Sequence, residues 1–238
     1  MLIPPAQLAR YWGLHPARIL HVGAHQAEES RAYRDAGWGS EAVVWVEADP
    51  ASAQTLRDRL EGDAHAHVVE ALAWDVSGVE LDFHIASNGQ SSSALAMGEH
   101  RELFPDITVV NSVRMLTQAL DELPAIQELR PFQMINLDIQ GSELKALQGL
   151  QQTIADCTAI YTEVNTRPLY EGCALLPELD AFLADAGFVR VDLVIVQDGW
   201  GDGLWIRRPD VPRLAVARRG ARKAGAFGGR VRRRVGRR

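Results

Sequence analysis

The sequence predicts an open α/β sheet, mostly parallel, with helices on both faces. Short apolar runs alternate with helix-like stretches nearly throughout the chain, the pattern of strand and crossover. Several of the apolar runs end in a glycine or a lone carboxylate where the next helix begins, as at Gly23, Glu47 and Asp138. The 238 residues suit one domain with a well-buried core and leave little room for a second.

In chain order, Pro4 to Gly13 is predicted as a short leading helix and Arg18 to Val22 as a first strand ending at Gly23. Gln26 to Ala36 is helical and stopped by Gly37. Ala42 to Glu47 is a buried strand, and Pro50 to Leu60 a helix with proline in its first turn. His67 to Trp74 and Val79 to Ile85 are predicted strands joined by the Ser77-Gly78 turn. Ala86 to Pro105 reads as a loop over one end of the sheet, and Val113 to Leu123 as a helix. Phe132 to Ile139 is a strand that meets a helix at Gly141-Ser142, running to Leu150. Thr158 to Asn165 is a strand, and a loop with Pro168 and Tyr170 follows. Pro177 to Ala186 is a helix closed by Gly187. Phe188 to Val196 and Gly203 to Ile206 form a final antiparallel pair around Asp198-Gly199-Trp200-Gly201.

Composition narrows the class. The chain is 47% apolar and 24% charged, as soluble globular proteins are. No apolar run approaches the roughly 18–20 residues of a membrane span, and Met1 to Tyr11 lacks the layout of a signal peptide. Cys157 and Cys173 make no disulfide framework or zinc knuckle, so a cytoplasmic, reduced protein is expected. The net charge of −6 hides an asymmetry, because Arg213 to Arg238 carries eleven Lys or Arg and no acid. That leaves fourteen cations against 31 acids in residues 1–212, a charge of −17. The domain is therefore expected to span 1–212. Residues 213–238 read as a basic, disordered tail able to touch anionic surfaces. Apart from Phe227 no aromatic accompanies that charge, so there is no strong case for nucleic acid.

Four segments carry polar chemistry. Leu20-His21-Val22-Gly23-Ala24-His25 is a strand running into a glycine turn, which is either a structural turn or a place where a ligand meets backbone. Glu47 ends the next strand 24 residues after Gly23, where a carboxylate can accept hydrogen bonds from ribose hydroxyls. Asp138 interrupts an apolar strand at its carboxyl end, and a buried lone carboxylate is costly unless paired or functional. Glu143, in the first turn of the next helix, is either functional or a favourable N-terminal charge. Tyr161-Thr162-Glu163-Val164-Asn165, with Arg167 and Tyr170 behind it, adds polar groups to a neighbouring strand end. His21 and His25 with Glu28 or Glu29 superficially resemble metal ligands. Their spacing crosses a strand-to-helix turn, so no metal site is assigned. Gly23-Ala24-His25-Gln26-Ala27-Glu28 also departs from the G-x-G-x-x-G of nicotinamide enzymes, which counts against an NAD-dependent oxidoreductase.

Together these segments resemble the FkbM family of class I methyltransferases. Leu137-Asp138-Ile139-Gln140-Gly141-Ser142-Glu143, running on to Leu147-Gln148-Gly149, fits the family's signature near its fourth strand. Val22, Gly23, Ala24, His25 and Ser30 fit the first motif, with His21 where Asp is common. The resemblance covers about Ile19 to Arg207. It implies a Rossmann-like, seven-stranded sheet with one antiparallel strand, S-adenosylmethionine (SAM) as methyl donor, and an oxygen nucleophile on a small molecule or sugar. It implies a cofactor site at His21, Gly23, Ala24, His25, Glu47, Ala48, Leu72, Ala73, Ser92 and Asp138. Gln140, Glu143, Asn165, Arg167 and Tyr170 are then expected toward the acceptor, with Asp138 and Glu163 as candidate bases. Either acid instead orients the acceptor hydroxyl or a divalent cation if it is not the base. A non-catalytic SAM- or partner-binding module is the alternative, although such a module has no need of polar strand ends such as Asp138 and Glu163.

Overall fold

A computed structural model describes residues 1–211; the basic tail, and the boundary expected at residue 212, lie outside the described residues. The chain begins with α1 (Pro5–Trp12), β1 (Arg18–Val22), α2 (Ser30–Asp35), β2 (Ala42–Glu47) and α3 (Pro50–Arg59). Next come β3 (Ala66–Glu70), β4 (Leu72–Ala73), β5 (Glu80–Ala86), α4 (His100–Leu103), β6 (Val109–Gln118) and α5 (Pro124–Leu129). The last third holds β7 (Met134–Leu137), α6 (Glu143–Gln148), α7 (Gln151–Asp156), β8 (Ala159–Asn165), α8 (Leu176–Asp185), β9 (Phe188–Ile195) and β10 (Trp200–Arg207).

Seven strands form one sheet in the order β3-β2-β1-β7-β8-β10-β9. Neighbours from β3 to β8 pair in parallel, and β10 runs antiparallel to both β8 and β9. This is the expected mostly parallel, seven-stranded sheet with one antiparallel strand. Successive strand residues point to opposite faces, and here both faces are buried. Leu20, Val44, Ile135 and Ile160 pack under Leu147, Ile154 and Leu183 of the helices on one side. Ile19, Val43, Trp45 and Met134 pack with Leu8, Tyr33 and Leu56 on the other. Local chemistry sets the element ends. Asp49 caps α3 by accepting from the backbone N–H of Ser52 at 3.1 Å, and Pro50 follows at the first helical position.

Three expectations are corrected. Val113 to Leu123 is not a helix: Val109–Gln118 is a strand, followed by a 3-10 turn at Leu120–Glu122. β6 pairs with β5 (Phe83 opposite Val113) and with β4, forming a separate three-stranded sheet. It is largely exposed, with Val110 and Leu116 facing solvent, so its apolar spacing does not mark a core face. The predicted strand His67 to Trp74 is split. β3 ends at Glu70, and β4 leaves the main sheet to join β6, so β4 and β5 do not pair. Finally, α2 begins at Ser30 rather than Gln26, because His25 and Ala27 hold positive φ angles of 42° and 52° that break the helix. Among the described residues no helix is long and apolar enough to cross a membrane.

Candidate active site

A cavity of about 590 Å3 opens over the carboxyl ends of β1, β2, β7 and β8, roofed by the 88–107 segment. This is where open α/β sheets bind ligands, and the volume lies within the roughly 300–1,000 Å3 usual for small-molecule sites.

Gly23 stands at the floor with φ of 86°. A Cβ here would fall 1.9 Å from the carbonyl oxygen of Asp138, so the first demand for glycine comes from the neighbouring chain. The β1 and β7 ends are stitched there by the Asp138 N–H donating to the Val22 carbonyl at 2.9 Å. Glu47 is buried, and its two oxygens accept the backbone N–H groups of His25 (2.7 Å) and Asp49 (2.8 Å). Burial raises its pKa, and these two hydrogen bonds pull the other way. Each oxygen keeps a lone pair for a further donor. His21 is buried against Trp45, ring centroids 4.8 Å apart, and its Nδ1 lies 3.1 Å from the Tyr33 hydroxyl. Burial lowers its pKa, so the ring is neutral near pH 7.

The centre of the cavity is a carboxylate pair. Asp138 lies one residue past β7 and is exposed to the cavity, which corrects the expectation of a buried acid. Glu163, on β8, is the buried one. The Gln140 side-chain amide donates to Asp138 Oδ1 at 2.8 Å and to Glu163 Oε2 at 2.7 Å. Its own oxygen accepts from the Tyr170 hydroxyl at 2.7 Å. Gln140 reaches this position with φ of 56°, as the turn after β7 requires. Burial, together with the charges of Asp138 and Glu143, pushes Glu163 well above the usual carboxylate range.

Of the residues expected in the site, His21, Gly23, His25, Glu47, Ala48, Leu72, Ala73, Ser92, Asp138, Gln140, Glu163 and Tyr170 line this cavity. Ala24, Glu143, Asn165 and Arg167 do not. Ala24 is buried, its N–H held by the Val46 carbonyl at 3.0 Å. Glu143 Oε1 accepts from the N–H groups of Ile139 (3.0 Å) and Gly141 (3.1 Å), so it braces the turn that carries Asp138 and Gln140. Asn165 is fully buried away from the cavity, and Arg167 pairs with Glu99. Among the described residues no group of three or more His, Cys, Asp or Glu is arranged to hold a metal ion. His25 and Glu28 instead bond each other at 2.7 Å.

Sequence reasoning named Tyr161 only as part of the Glu163 segment and missed Asp202, Asp198, Trp200 and His100; all five also line the cavity. Asp202 is paired directly opposite Glu163 in the β8–β10 register, and it accepts from the Tyr161 hydroxyl and the Leu2 N–H. An acid between glycines in an apolar strand, Gly201-Asp202-Gly203, is the same kind of signal that marks Asp138. His100 carried no such signal, because a loop histidine is commonplace.

A parallel sheet of this order, with its single antiparallel strand next to last in space and a polar cavity over the carboxyl ends, defines a Rossmann-like class I methyltransferase fold. The sequence matches the model of the methyltransferase FkbM domain over residues 21–190, and the chain belongs to that family. It is 26% identical over 184 residues to the 2-O-methyltransferase NoeI of Sinorhizobium fredii, covering 72% of this chain and 74% of that protein. Among solved structures it is similar to methyltransferase FkbM from Methylobacillus flagellatus KT, at 17% identity and a TM-score of 0.55. That match covers 85% of this chain, which spans about half (48%) of the Methylobacillus chain.

Proposed function

We propose that this protein transfers a methyl group from SAM to a hydroxyl oxygen of a small molecule or sugar. The observation that carries the reading is the convergence of Gly23, Glu47, Asp138 and Glu163, from four strand ends, on one cavity. NoeI, a 2-O-methyltransferase by name, supports the choice of oxygen.

The residues present fit the donor. Glu47 lines the cavity and would hold the ribose of the donor through the acceptor capacity its two backbone bonds leave, and Leu72 and Ala73 give the same cavity an apolar border. Ser142 and His100 border the cavity, and their Oγ and Nδ1 atoms are buried without a hydrogen-bond partner. When bound, SAM supplies an activated methyl on a sulfonium. The protein's part is then alignment of the acceptor and removal of one proton. Asp138, open to the cavity, takes that proton. Glu163 stays uncharged behind it, and Gln140 fixes the distance between the two through a single amide nitrogen. Tyr170 orients the Gln140 amide, while Trp200 and Asp198 flank the space left for the acceptor.

The test is a panel of hydroxyl-bearing glycosides and metabolites incubated with protein and methyl-labelled SAM, with products read by mass. Label on an oxygen of any acceptor supports the reading. Label found only on nitrogen or carbon overturns the choice of oxygen.

A further inference from the structure

The cavity wall is unusually one-sided in charge. Glu28, Glu29 and Glu47 line it near β1 and β2, Asp138 and Glu163 stand at its centre, and Asp198 and Asp202 come from the final hairpin. No lysine or arginine is among the described residues that line it. The Met1 amine faces it and is already paired with Glu29 at 3.1 Å. The acids of this wall that carry charge, Asp138 at their centre, repel one another in a partly dehydrated space, and dehydration strengthens each such interaction. Ser142 and His100 border the same cavity, and their Oγ and Nδ1 atoms are buried without a hydrogen-bond partner.

We infer that this site selects its donor by charge, holding the cationic SAM well above its own neutral product, S-adenosylhomocysteine. The inference rests on the reading of SAM as donor. The two molecules share adenosine, ammonium and carboxylate, so whatever the site does with those groups cancels in a comparison. They differ by one methyl and one positive charge, which is the quantity the acidic wall senses. Transfer of the methyl removes that charge, and the wall then loses a counter-ion it held. The product is thereby released readily and inhibits weakly.

Proton uptake gives a second, separate readout. Glu163 is buried beside Asp138, Glu143 and Asp202, with the hydroxyls of Tyr161 and Tyr170 as the other titratable groups facing it. Burial and those neighbouring charges push its pKa well above the usual carboxylate range. A cation entering the cavity offsets the repulsion and lets protons leave, whereas a neutral ligand does not.

The experiment is calorimetry on the full chain near pH 7 with three probes: SAM, S-adenosylhomocysteine, and sinefungin, which carries an ammonium in place of the methyl sulfonium. SAM and sinefungin are expected to bind at least tenfold more tightly than S-adenosylhomocysteine, a difference of about 1.4 kcal/mol. Repeating each titration in buffers of different ionisation enthalpy should show proton release for the two cations only. Equal or tighter binding of S-adenosylhomocysteine overturns the inference while leaving SAM as the donor. Absence of binding by all three overturns the donor reading itself, and this inference with it.

Discussion

Asp138 and Glu163 stand on adjacent strand ends and share one hydrogen-bond donor, the Gln140 amide nitrogen, at 2.8 and 2.7 Å. The two acids are chemically alike, yet their settings separate them. Asp138 is exposed to the cavity, whereas Glu163 is 5% exposed, and burial and its charged neighbours push its pKa well above the usual carboxylate range. On the proposed reaction, such a separation makes Asp138 the candidate proton acceptor and leaves Glu163 a positioning role.

Asp138→Asn should therefore lower turnover at least ~100-fold while SAM still binds. Steady-state kinetics beside calorimetry measures both. Turnover preserved at saturating SAM would remove Asp138 from proton transfer.

Glu163 should tolerate its amide better. If it works uncharged, Glu163→Gln costs less than roughly tenfold in turnover, and Glu163→Ala, which leaves the Gln140 amide without one of its acceptors, costs clearly more. A Gln variant as impaired as the Ala variant would mean that the charge on Glu163 is needed.

Glu47→Ala should weaken SAM binding roughly ten- to a hundredfold, through loss of hydrogen bonds worth on the order of 1.5–3 kcal/mol. It should also lower the melting temperature, because the N–H groups of His25 and Asp49 lose the only acceptor the carboxylate gives them. Glu47→Gln, which can satisfy one of the two, should fall between. Unchanged SAM affinity in a folded Ala variant would take Glu47 out of the site.

Glu143 makes stability depend on pH. Burial raises it from an ordinary 4.5 to about 7, so between those values the folded chain binds more protons than the unfolded one. Its contribution is fully present below about pH 4.5 and is lost as pH rises through 7. Glu143→Gln keeps an acceptor for Ile139 and Gly141 but cannot ionise. Denaturation at pH 5 and pH 8 should show a loss for the native chain that is smaller in the variant by on the order of 1–3 kcal/mol. An equal loss in both would show that Glu143 is not the group responsible.

Much of this protein was legible in its residues. Buried parallel strands announce themselves as short apolar runs, so β1, β2, β7 and β8 lie within a residue or two of where Arg18 to Val22, Ala42 to Glu47, Phe132 to Ile139 and Thr158 to Asn165 put them. The strand-end acids Glu47 and Asp138 were visible for the same reason, since a charge closing an apolar run has few structural uses. Long-range pairing was what the residues concealed. β6 looks helical by spacing because Val109, Val110 and Leu116 face solvent and mark no core, and its partnership with β5 and β4 makes it a strand. Glu143, Asn165 and Arg167 sit within a few residues of the site yet turn away from it, because side-chain direction follows from packing. Asp202 and Glu163 are 39 positions apart, and only the antiparallel register of β10 on β8 sets them face to face. Local pattern carries the period of burial and the ends of elements. Which polar groups meet is decided by strand order and register, which fold the chain back on itself over distances no local pattern spans.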